Sequence, residues 1–385
     1  MKIIITGTAH PYRGGLASFN ERLAGQFLAE GFETEIFTFT LQYPGFLFPG
    51  KTQYSESPAP GGVKITRILN SINPFNWIRT GYRIKKENPD ILIIKYWHPF
   101  MAPCFGTIAR LSKSKRSGKP KVICIFDNVI PHEKRPGDRI MAKYFIRSID
   151  GAVVMSRSVH DDLNTFRVDI PVVFNPHPLF DNYGEIIPRE EALGRLNLSN
   201  DCSYLLFFGF IRAYKGLDLL LEAFADKRLR NRKLKLIIAG EFYESKAPYL
   251  DSIEKYGITN DILMYDRFIN EDEVAVFFSA ADLIVQPYRS ATQSGVTQIA
   301  YHFEKPMVVT DVGGLSEIIA DGKCGYVVKP EPKNIAEAIF DFFDKNRKKL
   351  FTEGTREEKE RFSWNKMTAT ITEVFRECSH AKSEK

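Results

Sequence analysis

No apolar run in this 385-residue chain is long enough to cross a bilayer as a helix; the longest are strand-sized. The five cysteines, Cys104, Cys124, Cys202, Cys324 and Cys378, form no C-x-x-C pair. Scattered and odd in number, they argue against a structural zinc or a disulfide framework and for reduced thiols in a cytosolic setting. No G-x-G-x-x-G follows the first strand, so a dinucleotide site is not supported. The Walker A pattern is missing too, because Tyr214 stands before Lys215 where that motif needs glycine. Basic residues are not interleaved with stacking aromatics in any nucleic-acid motif, which argues against a nucleic-acid partner. The opening "MKIIITGTAHP" turns polar after three isoleucines, so it reads as a first strand and no signal peptide.

What is present is a globular composition, 44% hydrophobic and 26% charged, at a length that suits two domains. The net charge of +6 is uneven. Residues 1–185 hold 24 Lys+Arg against 16 Asp+Glu, and the remainder is slightly acidic. A basic first half suggests an anionic partner met on that side.

Strand-like runs alternate with helical patterns throughout. The first half offers "KIIIT", "TEIFTF", "VKITRI", "ILIIK", "KVICIF", "GAVVM" and "VVF", with helical stretches such as Gly15 to Glu30 and Pro99 to Lys113. The second half offers "YLLFF", "LKLIIAG", "ILMY", "DLIVQP", "PMVVTD" and "GYVV". This alternation predicts α/β architecture: parallel sheets covered by helices, in two successive domains. The proline-rich stretch 175–191 is the expected boundary, giving domains 1–185 and 186–362. A final helix from 363 carries Trp364, Met367, Ile371 and Phe375 on one face.

Ligands of open parallel sheets bind at the carboxyl ends of strands, so the loops after strands deserve the closest reading. After the first strand, Gly14 and Gly15 precede a helix whose N–H groups could face an anion. After the fifth, Asp127 and His132 stand where a substrate hydroxyl would be oriented or deprotonated. In "LLFFGFIRAYKGLDLLLEAF" a buried strand gives way to Gly209, then Arg212 and Lys215, then a helix. Two fixed cations beside helix N–H donors suit a phosphate or diphosphate. Two further loops, Thr292-Gln293-Ser294-Gly295 and Gly313-Gly314, also follow strands and offer main-chain donors. All three loops would converge on one sheet edge.

Taken in order, "GG" at 14–15, "RAYKG" at 212–216, "ADLIVQPY" at 281–288, "SG" at 294–295, "KPMVVTDVGGLSEII" at 305–319 and "DGKCGYVV" at 321–328 resemble the family 4 glycosyltransferases. The resemblance covers nearly the whole chain and is densest from 205 to 330. It implies the GT-B architecture: two Rossmann-like domains facing across a cleft, with the last helix returning to the N-terminal domain. It also implies transfer of a sugar from a nucleotide-diphosphate donor with retention of configuration, no cofactor and no obligatory metal. The absence of a D-x-D motif agrees with that.

By resemblance, Lys215 is the lysine that binds the donor diphosphate, with Arg212 its partner; the family's usual arginine directly follows the glycine, where this chain has Phe210. Gly209, Thr292, Gln293, Ser294, Gly295, Gly313, Gly314 and Glu317 fall in donor-binding segments, and Arg267 and Phe268 fall where the base is held. Gly14 and Gly15 match the loop that closes over the reacting centre, and His132 lies in a stretch similar to one found in many members.

There are two departures. The family's pair of glutamates separated by seven residues is missing, leaving Gln293 or Gln298 for the ribose contact; and Asp127 replaces a histidine after the fifth strand. The first departure keeps a second class open, a non-catalytic nucleotide-sugar or glycan-binding protein. A nucleotide-sugar epimerase on the same fold is a third. The segment 73–86, "NPFNWIRTGYRIKK", mixes aromatics with cations. It reads either as a contact with anionic lipid, giving a cytoplasmic protein peripheral at the inner face of the membrane, or as a helix resting its aromatics on the sheet.

Overall fold

The computed structural model describes residues 1–45, 52–55, 58–114, 118–131, 136–166, 169–291 and 294–380. The chain divides into two compact units, Met1–Pro178 with Ser363–Lys385, and Leu179–Phe362. It leaves the first unit at Pro178, where the sequence suggested residue 185. The Leu179 N–H already donates to the Phe362 carbonyl, and Phe180 already lies against Gly295.

The first unit contains β1 (Lys2–Thr6), β2 (Glu33–Leu41), β3 (Lys64–Asn70), β4 (Ile91–Tyr96), β5 (Lys121–Phe126), β6 (Gly151–Val154) and β7 (Val172–Phe174). They form one parallel sheet in the order β3-β2-β1-β4-β5-β6-β7. Strand order reverses between β1 and β4, the place where such sheets open a crevice at their carboxyl ends. The strands run apolar because helices cover both faces: Ile3, Ile4, Ile5, Ile91, Leu92, Ile93 and Ile94 are all fully buried. One lysine, Lys95, is buried among them at 1% exposure. Behind β4 and β5, Tyr96 stacks on Phe145 with centroids 4.6 Å apart.

Helix α1 (Gly15–Ala29) starts from Gly14 at φ 98°, and α2 (Pro74–Glu87) is capped by the Asn73 side chain accepting from the N–H groups of Phe75 and Asn76. Here α2 departs from the reading that rests its aromatics on the sheet. The face it buries is Thr80, Gly81 and Ile84, and Gly81 is needed because a Cβ there would stand 2.6 Å from Leu111 Cβ. Phe75 is 84% exposed, with Ile78 and Tyr82 also facing outwards. Only Trp77 of the aromatics turns partly inwards, donating from Nε1 to the Asn70 carbonyl at 2.7 Å.

The last helix, Trp364–His380, belongs to the first unit. Trp364 meets Phe19 of α1, ring centroids 5.1 Å apart, and Thr368 donates to Glu30 at 2.7 Å. Its buried stripe continues through Val374 and Cys378 instead of the expected Phe375, because a Cβ on Gly151 would lie 2.4 Å from Val374 Cγ1; that glycine lets the helix sit directly on β6.

The second unit contains β8 (Ser203–Phe208), β9 (Leu234–Ala239), β10 (Ile262–Tyr265), β11 (Leu283–Gln286), β12 (Met307–Thr310) and β13 (Gly325–Val328). This sheet is also parallel, ordered β10-β9-β8-β11-β12-β13, and its order reverses between β8 and β11. The expected repeat of the theme is therefore present: two α/β units with parallel sheets of seven and six strands. Leu217, Leu220, Leu221 and Phe224 bury the expected face of the helix Leu217–Phe224 in the core of the second unit.

Candidate active site

The carboxyl edge of the second sheet is built around Lys215. β8 ends at Phe208, and Gly209 follows at φ 96°. A Cβ there would sit 3.1 Å from the Lys215 ammonium, so the glycine makes room for it. Residues Ala213–Lys215 make one tight turn, and Gly216, at φ 66°, passes so close to Pro287 that a Cβ would lie 2.1 Å from its carbonyl oxygen. The helix Leu217–Phe224 then leads away.

Lys215 is only 8% exposed, and its ammonium lies 5.5 Å from the centroid of the Tyr288 ring. Burial first, and the neighbouring charge of Arg212 second, lower its pKa to about 8. Arg212 is half-buried, its guanidinium carbon 5.0 Å from the Tyr243 ring centroid. Neither cation has a carboxylate within ion-pair distance among the described residues. A buried ammonium beside a second cation with no counter-ion is an unfavourable arrangement that a bound anion would relieve.

Loops after neighbouring strands are tied to this turn. The Arg289 N–H donates to the Tyr214 carbonyl at 2.7 Å, and the Gly314 N–H donates to the Ala291 carbonyl at 3.2 Å. Gly313 (φ 50°) is required there, since a Cβ would fall 1.8 Å from that same carbonyl oxygen. The Gln286 side chain accepts from Ser294 Oγ at 2.6 Å and from Thr297 Oγ1 at 3.1 Å, which fixes the start of the helix Gly295–His302. Within that helix Gln298 is fully buried, and neither its amide oxygen nor its nitrogen has a hydrogen-bond partner among the described residues. Beyond β10, Phe268 is half-buried at 6.1 Å from Phe210, which itself lies 4.4 Å from Tyr243. The neighbouring Arg267 is exposed and engaged by both carboxylate oxygens of Glu273 at 2.5 and 2.6 Å.

The fold thus gathers Gly209, Arg212, Lys215, Ser294, Gly295, Gly313 and Gly314 in linked loops at one edge. Arg267 sits there too, its guanidinium occupied by Glu273. Glu317 is exposed on the short helix Leu315–Ile318 that follows Gly314. Thr292, Gln293 and His132 lie outside the described residues.

In the first unit, Gly14 and Gly15 open α1. Asp127, just past β5, is held by a residue the sequence reading passed over. Its Oδ1 accepts from the Lys95 ammonium at 2.8 Å, while the ammonium also stands 3.4 Å above the Phe19 ring. Burial pushes the Asp127 carboxyl up and the Lys95 ammonium down, and their mutual attraction opposes both shifts. His177, buried nearby with its ring 5.2 Å from Phe19, hydrogen-bonds through Nδ1 to the Pro178 carbonyl at 2.7 Å; burial and the Lys95 charge lower its pKa to about 3. A lysine inside "ILIIKY" was the signal available for Lys95. Gln286 and Tyr288 lie inside the "ADLIVQPY" run without being singled out there, and nothing in the local sequence marked Tyr243 as a member of the site.

Known proteins agree with this geometry. Residues 188–358 match the family Glycosyl transferases group 1, and residues 13–179 match Glycosyltransferase Family 4. The chain is 25% identical to an uncharacterised glycosyltransferase of Methanocaldococcus jannaschii over 98% of its own length and 99% of that protein's. A lipopolysaccharide 1,2-N-acetylglucosaminetransferase of Salmonella typhimurium is 28% identical over 49% of this chain and 52% of that one. The fold is that of Anabaena HepE, solved in complex with UDP, with a TM-score of 0.73 at 14% identity over 97% of this chain and 99% of that one. The two family matches together span most of the chain, and with the linked loops and the shared fold they place it among the glycosyltransferases of the group 1, family 4 type, with the GT-B architecture.

Proposed function

We propose that the chain is a retaining, metal-independent glycosyltransferase. It moves a sugar from a nucleotide-diphosphate donor to a glycan or lipid-linked acceptor, in the synthesis of a surface polysaccharide or glycoconjugate. The observation that carries this is Lys215, a buried ammonium beside Arg212 with no carboxylate within ion-pair distance among the described residues. The donor diphosphate is the anion it meets, cradled by the amides around Ser294-Gly295 and Gly313-Gly314. Gln298, buried with an unsatisfied amide, takes the ribose contact in place of the missing glutamates, and the main chain at Arg267-Phe268 holds the base. UDP bound to HepE and the lipopolysaccharide role of the Salmonella relative support the donor class and the acceptor class respectively.

In the transfer, the bond from the anomeric carbon to the phosphate oxygen breaks, and a bond to the acceptor oxygen forms on the same face. The acceptor's proton passes to the departing diphosphate. Arg212 and Lys215 meet the charge that develops on the leaving group, each worth roughly 3 kcal/mol on the scale of single catalytic donors. Two fixed cations supply there what a divalent ion supplies elsewhere. Asp127 and His132 orient substrate hydroxyls, and Gly14-Gly15 form the acceptor-side loop. The outward face of α2, where Phe75, Ile78 and Tyr82 stand among Arg79, Arg83, Lys85 and Lys86, suits peripheral contact with an anionic membrane that presents a lipid-linked acceptor.

The test is a thermal-shift panel of UDP, GDP, ADP and their sugars on wild type and Lys215→Ala. One nucleotide is expected to stabilise the wild type by several degrees and the variant by little. Equal stabilisation of both would remove Lys215 from the site. No stabilisation of either would turn the assignment towards glycan binding.

A further inference from the structure

Lys95 is the one lysine set inside an apolar strand of the first unit and buried to 1% exposure. Among the described residues its ammonium has one hydrogen-bonding partner, Asp127 Oδ1 at 2.8 Å, and it stands 3.4 Å from the face of Phe19. The other carboxylate oxygen, Asp127 Oδ2, is buried and has no hydrogen-bond partner among the described residues. Two more unsatisfied buried atoms belong to the same cluster, Asn20 Oδ1 and Thr8 Oγ1; the Asn20 amide donates to the Thr8 carbonyl at 2.8 Å. Gly7 fits between them: a Cβ there would lie 2.7 Å from the Asn20 amide nitrogen and 3.5 Å from Lys95 Cβ. These residues come from the loop after β1, from α1, from β4 and from the turn after β5, at the carboxyl edge where the strand order reverses. A buried ion pair is seldom needed for stability, because an apolar pair of similar volume serves as well. An ion pair beside three unsatisfied buried polar atoms is a feature that packing does not explain, and the pair's carboxylate is still partly exposed at the sheet edge.

We infer that Lys95 is a positioning residue for the transfer reaction: it holds the Asp127 carboxylate, whose side chain keeps 19% of its surface exposed, in one orientation towards a substrate hydroxyl. The inference rests on the transfer reading above. The other groups facing the pair are Cys124 on β5 and His177 beyond β7. Burial keeps the Cys124 thiol protonated and the His177 ring neutral, so the pair's charge is answered within the pair. Lys95 reaches the substrate through Asp127 alone.

The test uses the full chain as wild type, Lys95→Met, Lys95→Arg and Asp127→Asn. The Asp127 carboxyl is titrated by carbon NMR, identified by its loss in Asp127→Asn. Turnover is followed as release of UDP, GDP or ADP from their nucleotide sugars with a panel of monosaccharide, oligosaccharide and lipid-linked acceptors, and Kd for the bare nucleotide is measured alongside. Lys95→Met is expected to raise the carboxyl midpoint by a pH unit or more and to lower kcat at least tenfold at pH 7. The acid limb of its pH profile should rise with the midpoint, since the protonated carboxyl no longer accepts a hydroxyl, while nucleotide Kd stays within twofold. Lys95→Arg should restore most of both. An unchanged midpoint and acid limb in Lys95→Met would overturn the proposal, as would a shifted midpoint with unchanged kcat. Wild type that binds nucleotide but turns over no pair would overturn the transfer reading, and this inference with it.

Discussion

At Lys215, two demands on one side chain pull in opposite directions. Charged, it suits the diphosphate proposed for it; charged and buried, it costs the protein free energy. Its pKa of about 8 against 10.5 in the unfolded chain puts that cost at roughly 3 kcal/mol. The sign follows from proton counting: between pH 8 and 10.5 the unfolded chain holds the extra proton, so this residue's contribution to stability rises with pH across that window. For binding the direction is the reverse. Affinity for the stabilising nucleotide diphosphate should fall as pH rises through about 8, approaching tenfold per unit, while Lys215→Arg should hold its affinity to higher pH. Calorimetric titration from pH 6.5 to 9.5 checks this, and a flat profile in the wild type would show that Lys215 does not carry the phosphate contact. The motif "RAYKG" made the cation legible in the sequence. Its burial, its distance from Tyr288 and the lack of a carboxylate partner among the described residues were not, because residues far apart in the chain decide all three.

At the scale of an element, α2 is the most instructive. Its caps are local and readable: Asn73 and Pro74 at the start, and Asn88 in the left-handed region at the end. Its orientation is not local. An inward face of Thr80, Gly81 and Ile84 is narrow, and the close approach to Leu111 at Gly81 turns the larger apolar side chains outwards. The exposed face then combines Phe75, Ile78 and Tyr82 with four cations, the composition of a surface that inserts shallowly into an anionic bilayer. Flotation with vesicles containing a third phosphatidylglycerol should carry the protein upwards. Phe75→Ser with Tyr82→Ser should reduce the bound fraction severalfold at unchanged melting temperature, and 0.5 M salt should weaken binding further. Equal flotation by wild type and double variant would show that this face does not touch lipid.

Across the whole molecule, the chain returns to its first unit at the end. The last helix closes that unit's core by laying Trp364 on Phe19, and Val374 and Cys378 over Gly151, while Lys121 donates to the Cys378 carbonyl at 2.8 Å. Gly151→Val should therefore unseat a helix more than two hundred residues away in sequence. The expected cost is about 2–4 kcal/mol, since Val374 Cγ1 would overlap the new side chain and the helix would have to move. Denaturant melts check the size, and hydrogen exchange checks the place: faster exchange should appear in 364–380. A loss of stability with protection of that helix unchanged would contradict the packing described.

The sequence by itself determined the number of strands, the parallel character of both sheets and the loops that follow the strands. Strand hydrophobicity, turn glycines and the cations of a loop are properties of a few adjacent residues. Tertiary structure decided which buried charges meet. Lys95 finds Asp127 because β4 and β5 pair in register, and Gln286 orders Ser294 because the following loop folds back on it. It also decided which face of α2 turns outwards and where the last helix lies. Those outcomes depend on distances between segments that no local pattern encodes, and they carry the charge and packing on which the proposed chemistry rests.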